Sequence, residues 1–355
     1  MSVKKNIALI SHDFELQGAQ RVLLWVVLLL RKEYDVTVMG LRSGPLQKEY
    51  ESHGIETKII TSSYPQSDLQ KFDCVIMNTL ATYPLFTNYS RNFLRKKCIL
   101  WIHESERDVY QKKLKSEIFQ LLRHIIFSAS ATQKMYADLI REGSSSIIPY
   151  PIDPKVPFAG VASLQRNSNR TNYQIPKDAI VISTIGAVIK RKGQDDFIRS
   201  VLPVLAKYPE VYVAIIGFSG IQKEFEAHVR FLAETSGYSE RILLIPQTND
   251  TGVWYTMSDI FALFSYIESI PVVITEAMLY RLPVVATAVY GVSEQIDDKK
   301  TGILVPPGDI HAFTNALDFL VSNRKAAVEM GLCARKKVVE ASLPKACLEG
   351  FNRIL

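Results

Sequence analysis

The chain lacks most of the signatures by which enzyme classes are recognised. Only four of its 355 residues are cysteine (Cys74, Cys98, Cys333 and Cys347), and none share a short paired spacing. That argues against a disulfide frame or a cysteine zinc site, and points to reduced thiols of a cytosolic protein. The six histidines, His12, His53, His103, His124, His228 and His311, show no metal-ligand spacing either. No G-x-G-x-x-G follows a strand. The nearest candidate, GFSG at 217–220, lacks the spacing, so nicotinamide or flavin chemistry is not expected. The segment Gly186 to Gly193 has the wrong spacing for a G-x-x-x-x-G-K-[ST] loop and runs into Gln194. There is no G-x-S-x-G nucleophile elbow, and no D-x-D triplet to hold a divalent metal against a diphosphate. Neither a metal nor a cofactor is expected.

Long apolar runs are missing too. The run Val22 to Leu30 is far shorter than the ~20 residues that span a bilayer. It also follows the strand-like NIALISH, so it is not placed like a signal peptide and reads as a buried helix. A cytoplasmic location is the expectation. Charge is uneven: the net value is +6, and residues 1–155 carry 21 Lys/Arg against 16 Asp/Glu, while the rest is balanced at 21 against 20. Much of the excess lies in Arg91, Arg95, Lys96, Lys97, Arg107, Lys112, Lys113 and Lys115. Such a surplus suits either a solvated helix face or peripheral contact with an anionic membrane face. No nucleic acid is expected.

What is present is alternation. Short β-branched runs recur at 6–11, 35–41, 57–61, 74–78, 98–103, 125–130 and 146–150, with helical stretches that include 19–32 and 108–122. The stretch 151–175 is rich in Pro, Asn, Ser and Arg and breaks the pattern. Alternation then restarts, with strand candidates at 179–188, 211–218, 241–246, 260–265, 282–288 and 302–307. Helices are expected near 193–207, 221–236, 270–281 and 310–321, and the tail from about 310 is strand-free. Apolar strands separated by helices imply parallel sheets covered on both faces. The expectation is an α/β protein of two Rossmann-like, doubly wound domains: 1–155, a linker at 156–175, and 176–340. A helix at about 341–355 would be free to return to the first domain. Two such domains facing one another would create an interdomain cleft at the carboxyl ends of their strands.

The segment IESIPVVITEA, 267–277, places two glutamates around an apolar run. Glu268 follows a strand, so it belongs to a loop at the strand's carboxyl end. Ser269 suits a helix cap and Pro271 a first helical turn, so the stretch 270–273, with Ile270, Pro271 and Val272, would set free backbone N–H groups at a helix N-terminus and attract phosphate. Glu276, about one turn inside, can accept two hydrogen bonds, which suits the vicinal hydroxyls of a ribose. Equally, Glu276 could be a favourable acid early in a helix and Glu268 an exposed loop residue.

In its longer context this segment resembles the retaining nucleotide-sugar glycosyltransferases of family 4, which have the GT-B architecture. The family's Glu, seven residues, Glu motif reads here ESIPVVITEAMLYRLPVVATAVYGVSEQI, followed by TGILVPPGD. GAVIKRKGQDDFI (186–198) is similar to its phosphate loop, QGAQRVLLWVVLLL to its first glycine loop and helix, and WIHE (101–104) to its histidine-bearing strand end. The resemblance covers roughly the whole chain. It implies sugar transfer from a nucleotide-diphosphate sugar to a hydroxyl of a glycan or lipid-linked glycan, without metal and with retention of configuration. Lys192 would then neutralise the diphosphate, Glu268 would lie by the donor sugar, and His103 would face that sugar. Glu276 would bind the ribose, while Gly18, Ala19, Gly186 and Arg191 would contribute to donor binding. Domain closure on the donor is a further expectation.

Four positions depart from the pattern: Ala187 for Arg, Ser269 for Gly, Arg281-Leu282 where a glycine is usual, and Tyr290 for Gly. The loss of a cation at Ala187 keeps open a non-catalytic nucleotide-sugar-binding partner subunit. A same-fold nucleotide-sugar epimerase is a third reading.

Overall fold

The computed structural model describes residues 4–105, 116–151, 159–341 and 344–355. The chain divides into two compact units, Met1–Asp153 with Ser342–Leu355, and Pro154–Ala341.

The first unit is built on a seven-stranded sheet: β1 (Asn6–Ser11), β2 (Asp35–Gly40), β3 (Thr57–Ile59), β4 (Cys74–Asn78), β5 (Cys98–Ile102), β6 (His124–Phe127) and β7 (Ser145–Ile147). Their spatial order is β3-β2-β1-β4-β5-β6-β7, and the pairings are parallel. Every residue of β4 and β5 is buried, which is why both read as unbroken apolar runs rather than alternating ones. The nine-residue apolar run forms the greater part of the helix Gly18–Leu30, and seven of its residues are buried: Val22, Leu23, Leu24, Val26, Val27, Leu29 and Leu30. Each is worth about 1.5–3 kcal/mol of burial.

The helix Pro344–Ile354 belongs to this unit. Phe351, fully buried, meets Trp101 of β5 edge-on with ring centroids 5.5 Å apart. Tyr34 donates to Asn352 at 2.7 Å, and Lys5 to the Leu355 carbonyl at 2.9 Å. Of the helical stretch expected at 108–122, residues 108–115 lie outside the described residues, as does Arg107, so Lys112, Lys113 and Lys115 do too, while Ser116–Leu121 are helical.

The second unit carries β8 (Ile180–Ile185), β9 (Val211–Phe218), β10 (Ile242–Pro246), β11 (Ile260–Leu263), β12 (Val284–Thr287) and β13 (Gly302–Val305). Their order is β10-β9-β8-β11-β12-β13, again parallel. The strand expected at 179–188 stops at Ile185, because Gly186 takes a φ of +152° that only glycine adopts readily.

The segment 156–175 is not simply a linker. Residues Ala159–Asn172 form a helix, and Arg170, 1% exposed, ties it to the second unit. Arg170 donates to the carbonyls of Met257, Lys177 and Ala179 and to the Asp259 carboxylate. Arg166 donates to the Thr256 and Ser258 carbonyls and to the same carboxylate. A buried guanidinium needs all of these acceptors, and those at 256–259 come from residues distant in sequence.

Candidate active site

Doubly wound sheets bind ligands where the strand order reverses. In the second unit that point lies between β8 and β11. The chain leaves β8 at Gly186, and a Cβ on neighbouring Gly217 would stand 2.1 Å from the Gly186 carbonyl, so the approach of the two backbones requires glycine at 217. A single 3₁₀ turn, Lys190–Lys192, follows and ends at Gly193 in the left-handed conformation, φ +61°. This turn projects the two cations expected to meet the donor.

Lys192 Nζ donates to Glu268 Oε1, which also accepts from the Ser265 hydroxyl at 2.8 Å. Arg191 donates to the Ile267 carbonyl at 3.2 Å, and its guanidinium stands 3.9 Å from the other carboxylate oxygen. Glu268 is 6% exposed. It is therefore not the exposed loop acid that the sequence left open. A carboxylate so deeply buried needs charge and hydrogen-bond partners, and three groups supply them.

Beyond Glu268 the helix starts later than expected. Pro271 is the N-cap, with φ −69° and ψ 117°, and the helix runs Val272–Leu279. The N-cap position thus falls to Pro271 and not to Ser269. Pro271 has no N–H to offer, so the donors of this turn are Ile270 and the first helical residues, Val272 and Val273. Glu276 lies in the second turn, half-buried, and accepts from the Tyr255 hydroxyl at 2.8 Å. The structure thus joins Lys192, Arg191 and Glu268 into one cluster, and sets Ile270, Pro271, Val272 and Glu276 on the next stretch of chain.

Two of the four departures from the family pattern occupy left-handed backbone: Arg281 at φ +60° and Tyr290 at φ +39°. Arg281 closes a Schellman motif, with Leu282 N–H bonded to the Ala277 carbonyl at 3.1 Å and Arg281 N–H to that of Met278 at 3.0 Å. The backbone keeps the glycine geometry without the glycine.

In the first unit the order reverses between β1 and β4, and a second polar cluster sits there. His103, just past β5, hydrogen-bonds through Nε2 to Asn78 Oδ1 at 2.8 Å and through Nδ1 to the Tyr150 hydroxyl at 3.2 Å. Asn78 donates its amide to the Ala19 carbonyl at 3.2 Å, which leaves Oδ1 as acceptor and puts the proton of His103 on Nε2. Burial, with His12 nearby, pushes the His103 pKa down to about 3. The ring packs at a tilt on Trp101, centroids 4.7 Å apart, and stacks on Tyr150 at 5.9 Å. Gly18 opens its helix and Ala19 follows, so their N–H groups belong to the first turn, while the Ala19 carbonyl serves Asn78.

Sequence reasoning passes over three residues here. His12, one past β1, meets the Thr79 hydroxyl at 2.8 Å and the Gln20 amide at 3.1 Å. Thr79 sits at φ +80°, ψ 155°, a region nearly reserved for glycine that costs about 1–3 kcal/mol. Its N–H bonds the Trp101 carbonyl at 2.8 Å, which helps hold it there. Tyr255 is the third. Only its position beside a buried Trp254, ahead of a strand, hinted at an interior role.

Two doubly wound units of this order, each with polar side chains gathered at its switch point, define the GT-B class of fold. Solved structures agree. HepE of Anabaena in complex with UDP-glucose superposes with a TM-score of 0.84 at 17% identity, over 98% of this chain and 99% of that one. WaaG, a glycosyltransferase involved in lipopolysaccharide biosynthesis, does so at 0.73 and 16% identity, over 98% and 99%. Residues 3–151 match the model described as "Glycosyl-transferase family 4", and residues 165–337 that of "Glycosyl transferases group 1".

With both units matched, the chain belongs to glycosyltransferase family 4. It is 32% identical over 167 residues to an uncharacterized glycosyltransferase of Haemophilus influenzae, covering 45% of this chain and 46% of the relative. A D-inositol 3-phosphate glycosyltransferase of Kribbella flavida is 30% identical over 191 residues, covering 52% and 45%. The alignments span about half the length of these relatives. Among the described residues, no helix is long and apolar enough to cross a membrane.

Proposed function

We propose that the protein transfers a sugar from a nucleotide-diphosphate sugar to a hydroxyl of a glycan or lipid-linked glycan, with retained anomeric configuration and without a metal ion. The observation that carries this reading is the Lys192–Glu268 pair at the β8/β11 switch point, with Glu276 on the helix that follows. An ammonium has three N–H groups, so Lys192 can hold Glu268 and a phosphate oxygen together. Lys192 and Arg191 would supply the positive charge that a departing diphosphate requires, the role a metal plays elsewhere. Glu268, kept in place by Ser265 and Lys192, would present its carboxylate to the donor sugar. Glu276 would receive the ribose hydroxyls. Support comes from family membership and from a fold-mate solved with UDP-glucose.

His103 would meet the sugar as a neutral donor, and its Nε2–H would have to exchange Asn78 for the ligand. The first unit, with Arg91, Arg95 and Lys96 exposed along the helix Arg91–Lys97, would serve the acceptor side and touch the cytoplasmic membrane face peripherally.

The test is thermal stabilisation of the purified protein by UDP, GDP, ADP, TDP and their sugars without added metal, followed by transfer from the stabilising donor to glycan acceptors. Stabilisation by one nucleotide family, lost in Glu276→Ala, together with turnover, is expected. Binding without turnover would instead favour a non-catalytic binding subunit, the reading that Ala187 supports. Isomerisation of the sugar without an acceptor would mark an epimerase.

A further inference from the structure

We infer that Tyr255 is a positioning residue: it holds the Glu276 carboxylate in the orientation that selects a ribose over a deoxyribose. The inference rests on the proposed assignment of Glu276 to the ribose.

Tyr255 comes from the helix Thr251–Met257, not from the helix that carries Glu276. Its hydroxyl donates to Glu276 Oε2 at 2.8 Å and lies 3.3 Å from the Val273 carbonyl. The phenol is buried, and burial beside Glu276 raises its pKa well above the usual value, so it stays a donor. The ring cannot swing away. It stacks on Tyr280 at 5.3 Å and packs on Phe261 of β11 at 5.8 Å.

The helix beneath it is anchored as well. The carbonyls of Thr256, Met257 and Ser258, at its C-terminal end, accept from Arg166 and Arg170, and both guanidiniums close on Asp259. The stretch that reads as a linker in sequence therefore fixes the helix that fixes Glu276. A carboxylate on a long side chain would otherwise sample several rotamers. Held from a separate rigid element, it meets a diol already aligned, and the ordering cost of binding falls.

The experiment measures Kd by titration calorimetry for UDP, GDP and ADP and for their 2′-deoxy and 3′-deoxy counterparts. It uses the full chain as wild type, Tyr255→Phe, Glu276→Gln and the double variant. Phenylalanine keeps the stacked ring, and melting temperatures confirm that each variant is folded. In Tyr255→Phe the preference for the best-bound ribonucleotide over its deoxy counterparts is expected to fall about five- to tenfold, the net worth of one ordinary hydrogen bond. The deoxynucleotide Kd should change little, and the double variant should lose no more preference than Glu276→Gln alone.

Equal weakening of ribo- and deoxynucleotides by Tyr255→Phe, or additive losses in the double variant, would overturn the inference alone. It would also fail alone if Glu276→Gln abolished the preference while Tyr255→Phe left it whole. A preference that survives Glu276→Gln, or a wild-type chain that binds none of these nucleotides, would overturn the ribose assignment and the inference with it.

Discussion

Replacing Lys192 with methionine removes an ammonium from a carboxylate that water barely reaches. The side chains of the pair are 13% and 7% exposed, so solvent cannot take over the lost interaction. Breaking a buried pair from one side costs about 3–5 kcal/mol, because the remaining charge is stranded. Glu268 keeps the Ser265 hydroxyl at 2.8 Å and Arg191 at 3.9 Å, which reduces the expected loss to about 2–3 kcal/mol. For a domain of this size that corresponds to about 4–12 °C in the unfolding midpoint of the second unit. Adding Glu268→Gln removes the stranded charge and should restore most of that stability. Sugar transfer should fall about 10²–10³-fold in Lys192→Met, through loss of a preorganised cation at the leaving group, and should not return in the double variant. Calorimetric scans paired with donor turnover separate the two effects. If the single and double variants melt together, stranded charge is not the cause of the destabilisation. If Lys192→Met turns over within a few-fold of wild type, Lys192 does not carry the leaving-group charge.

Two further outcomes follow from the backbone and from burial. His103 has a folded pKa of about 3, while the unfolded imidazole takes its proton near 6.5. The unfolded state therefore binds more protons between these values. Its contribution to stability is complete above about pH 6.5 and is lost as pH falls toward 3, at up to about 1.4 kcal/mol per pH unit. Denaturant midpoints of the first unit at pH 7 and 4.5 should accordingly diverge less in His103→Gln than in wild type; identical differences would refute the assignment.

Arg281→Gly should stabilise the second unit by about 1 kcal/mol, or about 2–4 °C, because glycine holds φ +60° without the side-chain penalty. The change also withdraws a positive charge which, second to burial, lowers the pKa of Arg335, a residue that donates at 2.5 Å to the Leu279 carbonyl at the end of the Val272–Leu279 helix. A lower melting temperature in Arg281→Gly would show that the arginine side chain does more for the fold than its backbone strain costs.

The parallel sheets are readable because a strand buried on both faces, as β4, β5, β8 and β11 are, must be largely apolar, and short runs of that kind stand between helical stretches. Glu268 can be singled out as an acid at a strand end, Glu276 as an acid early in the helix that follows, and Lys192 by the family resemblance. Nothing local could show that Lys192 reaches Glu268, 76 positions away, or that Glu268 is buried. The helix Ala159–Asn172 is hidden for the same reason: its Pro-, Asn-, Ser- and Arg-rich surroundings break the local pattern, and only the fold brings Asp259 to its arginines. The roles of His12, Thr79 and Tyr255 depend likewise on neighbours from other elements of the fold.

Local pattern alone determined the fold class, the family resemblance and the residues able to meet an anion, since backbone geometry and side-chain chemistry are properties of short stretches. Only the tertiary structure decided which charges pair, which histidine is neutral, and what holds Glu276 still. Those properties arise from desolvation and from contacts between residues far apart in the chain.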